Sequence, residues 1–166
     1  QGGGGTKGAM GGKAAALLRE GAAGGGEAGV RIGRHPDAQP QPMLAGVPRC
    51  ILSTFEGYER AIEIANSPNI GVWLCCGSWL EGGKMTGADP VEMIKYFGSR
   101  KKLFKIHFRN VSALLPHFTE TMIDDGYYDM SKIMRALVDV KLEGIRIPDP
   151  VPGMGANPST EGPGGR

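Results

Sequence analysis

Two short stretches, Ile70-Gly-Val-Trp-Leu-Cys75 and Leu103-Phe-Lys-Ile-His-Phe108, decide how this chain folds. Both are short apolar runs rich in β-branched and aromatic residues, and their length suits a buried strand better than a helix. Between them, Asp89-Pro90-Val91-Glu92 is a helix start: an acidic cap, proline at the first helical position and a glutamate three residues after the cap. Strand, helix and strand in that order predict two parallel strands joined by a right-handed crossover.

The same alternation continues on either side. Upstream, Val30-Arg-Ile-Gly-Arg34 is a strand, and Ser53-Thr-Phe-Glu56 is a capping box. It opens a helix with Tyr58, Ala61, Ile62 and Ala65 on one face, which stops before Pro68. Downstream, a helix from Asp129 sets Met130, Ile133, Met134, Leu137 and Val138 on one stripe, and Gly144-Ile-Arg-Ile-Pro148 is a fourth strand. The predicted class is α/β, a (β/α) barrel of TIM type, with four parallel strands making about half a barrel. A complete barrel needs about 250 residues, and this chain has 166.

The flanks have a different composition. Residues 1–29 are Gly/Ala-rich low complexity, and the island from Lys13 to Glu20 is expected to form no more than a turn or two of helix. Residues 30–154 are assigned to the half-barrel and 155–166 to a disordered tail. Pro36, Pro40, Pro42 and Pro48 make the stretch after the first strand a loop. The chain opens on Gln1 rather than Met and is read as part of a longer one.

Composition narrows the function. A net charge of +2 gives no general attraction to nucleic acid or to an anionic membrane. The basic-aromatic run Ser99 to Arg109 resembles a single-strand nucleic-acid groove. Its Phe104 and Phe108, however, are required for a core, with Phe104, Ile106 and Phe108 on the helix side and Lys105, His107 and Arg109 toward the lumen. The longest apolar run, Ile70 to Cys76, is far too short to span a membrane. Of three cysteines two are adjacent, which is neither a disulfide framework nor a CxxC motif; a reducing, cytoplasmic location is expected.

Each predicted strand ends on a residue able to bind metal or do chemistry: His35, Cys75, His107 and Asp149. Barrel enzymes build their sites at the C-terminal ends of strands. Taken singly, each has an ordinary explanation: a hydrogen-bonded histidine, a small buried thiol, a turn-forming aspartate. Together, two imidazoles, a thiolate and a carboxylate suit a borderline divalent ion such as Mn²⁺, Fe²⁺, Co²⁺ or Zn²⁺.

The pieces His35-Pro-Asp37, Cys75-Cys-Gly-Ser78, Lys105-Ile-His-Phe-Arg-Asn-Val111, Phe118-Thr-Glu120, Asp129-Met130 and Pro148-Asp-Pro-Val-Pro152 resemble, in order and spacing, the second half of mannonate dehydratase. The resemblance implies a xylose-isomerase-like barrel that dehydrates D-mannonate, a small sugar acid, to 2-dehydro-3-deoxy-D-gluconate in hexuronate (glucuronate) catabolism, using Mn²⁺ or Fe²⁺. Its metal ligands would fall on His35, Cys75, His107 and Asp149. Arg109 and Asn110, just beyond a ligand on the lumen rim, are substrate-binding candidates; the alternative for Arg109 is simply to pair a neighbouring acid. The family pattern has Pro-Asp-His where this chain has Pro148-Asp149-Pro150, and that histidine is implicated in proton transfer. A second reading therefore stands beside the enzyme: a degenerate half-barrel that keeps the metal ligands without turnover. Open sheet edges favour self-association, so a homo-oligomer is expected as well.

Overall fold

The computed structural model describes residues 6–36, 43–44, 47–48 and 52–148. In chain order the elements are helix α1 (Thr6–Glu27), strands β1 (Ile32–Arg34), β2 (Met43–Leu44) and β3 (Val47–Pro48), helix α2 (Phe55–Ala65), and strand β4 (Ile70–Cys75). Helices α3 (Cys76–Gly82) and α4 (Pro90–Ser99) follow, then β5 (Leu103–Phe108), β6 (Asn110–Val111), β7 (Glu120–Thr121), helix α5 (Met130–Asp139) and β8 (Ile145–Pro148).

β1, β4, β5 and β8 form one sheet in that order, with every pairing parallel. This is the predicted half-barrel arc: each strand pairs with the next one in the alternation, as right-handed crossovers require. β2–β3 and β6–β7 are two-residue antiparallel ribbons outside that sheet.

Helices α2, α4 and α5 begin where local chemistry dictates. Asp89 and Glu92 close a reciprocal capping box on α4, and Asp129 caps α5 by accepting from the Ser131 N–H. On α2 the cap is Thr54, whose hydroxyl accepts from the Gly57 N–H at 3.1 Å; Ser53, the residue expected there, is buried just before it. α2 ends on Asn66 in the left-handed conformation, its N–H returning to the Ile62 carbonyl. Their inner faces meet the sheet in one core that includes Tyr58, Val72, Leu74, Trp79, Met93, Ile94, Phe97, Ile106, Ile133 and Leu137. Met134 and Val138, predicted on the buried stripe of α5, lie at its exposed margin instead.

Two further expectations are corrected. The Gly/Ala stretch forms α1, much longer than a turn or two, and its C-terminal part is held by tertiary contact: Ala22 is buried with Ala65 and Ile70, and Leu18 and Ile32 pack on them. Burial against α2 and β4 supplies what helix propensity lacks. Phe104 does not share the helix side with Ile106 and Phe108. The β4–β5 register shifts between Val72 and Trp73, Leu103 takes the place in the core, and the Phe104 ring lies against Gly71. Residues 155–166 lie outside the described residues.

Two glycines test this packing in opposite directions. A Cβ on Gly71 would run into the Phe104 ring and the Lys102 carbonyl, whereas one on Gly24 in α1 would meet nothing within 4 Å. Gly71→Ala is therefore expected to destabilise the chain by about 1–3 kcal/mol. Gly24→Ala should stabilise it by about 0.5–1 kcal/mol through helix propensity. Urea midpoints of the two variants check both signs.

Candidate metal centre

The parallel register of the sheet builds the site. Cys75 at the end of β4 stands directly opposite His107 on β5. β1 pairs Arg34 with Val72, so the next residue, His35, comes beside Trp73. Tyr58 on α2 fixes this strand end, its hydroxyl donating to the Arg34 carbonyl at 2.9 Å.

His35, Cys75 and His107 each offer one donor atom, and these atoms all lie within 4.8 Å of one another. A thiolate sulfur about 2.3 Å and an imidazole nitrogen about 2.1 Å from one ion stand about 4.4 Å apart at most. The three side chains therefore fit a divalent ion with little adjustment. The tautomer of His35 follows from its neighbour: Nδ1 is 2.6 Å from the Pro36 carbonyl, which can only accept. Nδ1 thus carries the proton and Nε2 keeps the lone pair a metal needs.

Trp73 forms the wall beneath the two imidazoles. Its ring centroid is 5.0 Å from that of His35 and 4.6 Å from that of His107, both edge-on. The two imidazoles are 5.3 Å apart, and the Lys105 ammonium covers the same indole at 3.5 Å. Asp149, the fourth predicted ligand, lies outside the described residues, as does Pro150; β8 pairs Phe108 with Pro148 immediately before them.

Behind the cluster is a group of buried polar side chains. Arg109, only 8% exposed, reaches Glu81 (2% exposed) with Nη2 at 2.6 Å and Glu120 with Nη1. The same Nη2 is 3.8 Å from Cys75 Sγ and 3.5 Å from the Ser78 hydroxyl. Arg109, one of the two substrate-binding candidates, is thus engaged with carboxylates and with the sulfur. Asn110, the other, is fully buried; its amide donates to the Ile123 and Tyr128 carbonyls and accepts from the Val111 N–H. It ties the loop that carries Tyr127 and Tyr128 to the end of β5. Tyr128 in turn donates to Asp89, and burial together with that carboxylate raises its pKa.

Glu81, Ser78 and Trp73 are site residues that sequence reasoning did not single out. Glu81 carried one signal, a lone carboxylate in an otherwise apolar and glycine-rich segment just after a strand end, where an unpaired charge would be costly. Trp73 could have been placed by alternation alone, since residues 73 and 75 of one strand share a face.

Residues 17–164 match the sequence profile of the family described as D-mannonate dehydratase (UxuA). The chain is 37% identical over 130 residues to a mannonate dehydratase of Enterococcus faecalis, covering 74% of this chain and 33% of that protein. It is also 37% identical over 118 residues to one from Oceanobacillus iheyensis, covering 69% and 32%. The crystal structure of mannonate dehydratase from Streptococcus suis serotype 2 superposes with a TM-score of 0.65 at 33% identity, over 74% of this chain and 34% of that one. A xylose isomerase domain protein from Alicyclobacillus acidocaldarius, 14% identical, has the same fold at a TM-score of 0.66, over 84% and 49%. The chain spans about a third of the length of the curated relatives it matches.

The adjacent cysteines separate ligation from packing. Cys75 faces the two imidazoles, whereas Cys76 is fully buried in the helix-side core. Cys75→Ser is expected to weaken Mn²⁺ binding at least tenfold, while Cys76→Ser leaves binding in place and costs stability. Metal titration beside thermal unfolding of both variants checks this; equal losses of affinity would take Cys75 out of the site.

Proposed function

The chain belongs to the D-mannonate dehydratase family, and we propose that it holds Mn²⁺ or Fe²⁺ on His35, Cys75, His107 and Asp149 and takes part in dehydrating D-mannonate to 2-dehydro-3-deoxy-D-gluconate. The observation that carries this reading is the convergence of donors from three separate strands within 4.8 Å at the C-terminal end of a parallel sheet. Packing fixes which face each of the three positions takes, but it does not require that the residues there be a thiol and two imidazoles.

Loss of the C2 proton of a sugar acid builds negative charge beside an existing carboxylate. A divalent ion bound at this cluster would offset that charge as a Lewis acid and orient the substrate. The chain's own residues prepare the place. The Pro36 carbonyl holds His35 in the tautomer that presents Nε2. Trp73 gives the imidazoles an apolar wall and keeps water from beneath them. Lys105, on the same inner face, contributes a cation suited to an anionic sugar acid. Asn110 acts through the loop it anchors.

Hexuronate catabolism and a cytoplasmic setting belong to the same proposal. No described helix is long and apolar enough to cross a membrane. The second reading, metal binding without turnover, has one residue in its favour: Pro150, which stands where the family pattern carries a histidine. Proline has no side-chain proton to give or take.

A general acid or base typically contributes about 10²–10⁴-fold in rate. With Mn²⁺ supplied and the chain joined to the first half of a relative's barrel, the 2-keto-3-deoxy product is expected to form slowly or not at all, and Pro150→His in that completed barrel to raise the rate at least tenfold. Both are read in an assay of product from D-mannonate. Fast turnover with Pro150 in place would assign the proton to another residue. No turnover by either version, with metal bound, would favour the second reading.

A further inference from the structure

We propose that the buried Glu81–Arg109 pair is a positioning device for the Cys75 sulfur, setting how tightly the His35–Cys75–His107 cluster holds a divalent ion. The inference rests on the metal reading above and goes beyond it by assigning two residues that touch neither ion nor substrate.

The sulfur sits at the junction of two hydrogen-bond donors. The Ser78 backbone N–H points at Cys75 Sγ from 3.5 Å, and Arg109 Nη2 approaches it at 3.8 Å. The first comes with the fold, because Cys75 is the cap of α3. The second has to be held there. Guanidinium is planar and rigid, so fixing its two nitrogens fixes the whole group. Glu81 takes Nη2 at 2.6 Å and Glu120 takes Nη1, which sets the distance to the sulfur from the far side.

The arrangement is costly in a way that packing does not explain. Glu81 and Arg109 are both buried, and taking an ion pair out of water costs several kcal/mol per charge before their attraction is counted. An apolar pair would fill the same space more cheaply. Room has also been made for the guanidinium, since a Cβ on Gly77 would overlap it. Glu81 and Cys75 lie at opposite ends of α3, so one short helix carries both the sulfur and the carboxylate that sets its donor. Hydrogen bonds to a ligating sulfur hold it in the rotamer that binding needs, which favours the metal, and draw electron density from it, which moves its absorption band.

The experiment uses the full chain and Co²⁺ alone as the probe. The thiolate-to-cobalt absorption band reports the electronic state of the sulfur. Quenching of tryptophan emission by Co²⁺ reports occupancy, because Trp73 packs against both imidazoles. Arg109→Met is expected to weaken Co²⁺ binding at least tenfold and to move the band, and Glu81→Gln to do the same to a smaller extent. Arg109→Lys should not restore the band position, because a single ammonium cannot meet both carboxylates and the sulfur. A purely structural pair would lower stability yet leave the band and the affinity of the folded chain unchanged. That result in Glu81→Gln, which is nearly isosteric and decides the matter if Arg109→Met does not fold, overturns the proposal. Cys75→Ser separates the two ideas: if it keeps the band and the affinity, the metal reading itself fails. If it loses both while the Glu81 and Arg109 variants keep them, only the positioning role fails.

Discussion

The parallel pairing of β4 with β5 is the constraint on which the rest of this structure depends. It places Cys75 opposite His107, sets Trp73 beneath the imidazoles, and sends Val72, Leu74 and Ile106 outward into the core that α2, α4 and α5 cover. Because side chains alternate with a period of two, a slip of one residue would put the cysteine into the core and Leu74 into the site. Such a slip is opposed on the helix side, where Val72, Leu74 and Ile106 are fully buried. Core packing therefore determines the geometry of the His35–Cys75–His107 cluster without contributing a donor atom to it.

A second layer of order comes from polar groups that the sheet alone would leave unsatisfied. Trp79 donates to the Ala88 carbonyl, Tyr127 to the Leu80 carbonyl and Asn110 to two carbonyls of the loop before α5. Each bond fastens an irregular connection at the C-terminal end of the strands, where function in this type of fold resides. The Glu81–Arg109–Glu120 group belongs to the same layer but differs in carrying charge. Removing Arg109 would strand the buried Glu81 in low dielectric, at a cost of about 3–5 kcal/mol.

At the other end of the sheet the order is looser. β8 exposes Ile145 and Ile147, and among the described residues it pairs only with β5. β1 likewise pairs only with β4. Open edges and uncovered isoleucines are what a four-stranded arc presents wherever further strands do not lie against it. The solved mannonate dehydratase shares this arc, which covers 34% of that longer chain.

Much of this was determined by the sequence itself. Apolar runs of strand length, acidic caps with proline or glutamate at the right offsets, and the 3.6-residue stripe of α5 are local signals, and they located the four sheet strands and the three covering helices. His35, Cys75 and His107 were legible for the same reason, because a residue's place at a strand end follows from where the strand stops. Other features were decided only by tertiary structure. α1 exists through Ala22 and Leu18 packing on α2 and β4, contacts that no window of glycine and alanine can announce. Phe104 changed faces because of a register shift between two strands, a relation absent from either strand alone. Glu81 became part of the site only when α3 carried it back to Arg109, 28 residues further along the chain. Alternation and capping act over a few residues and can be read in order along a chain, whereas a buried charge finds its partner through space.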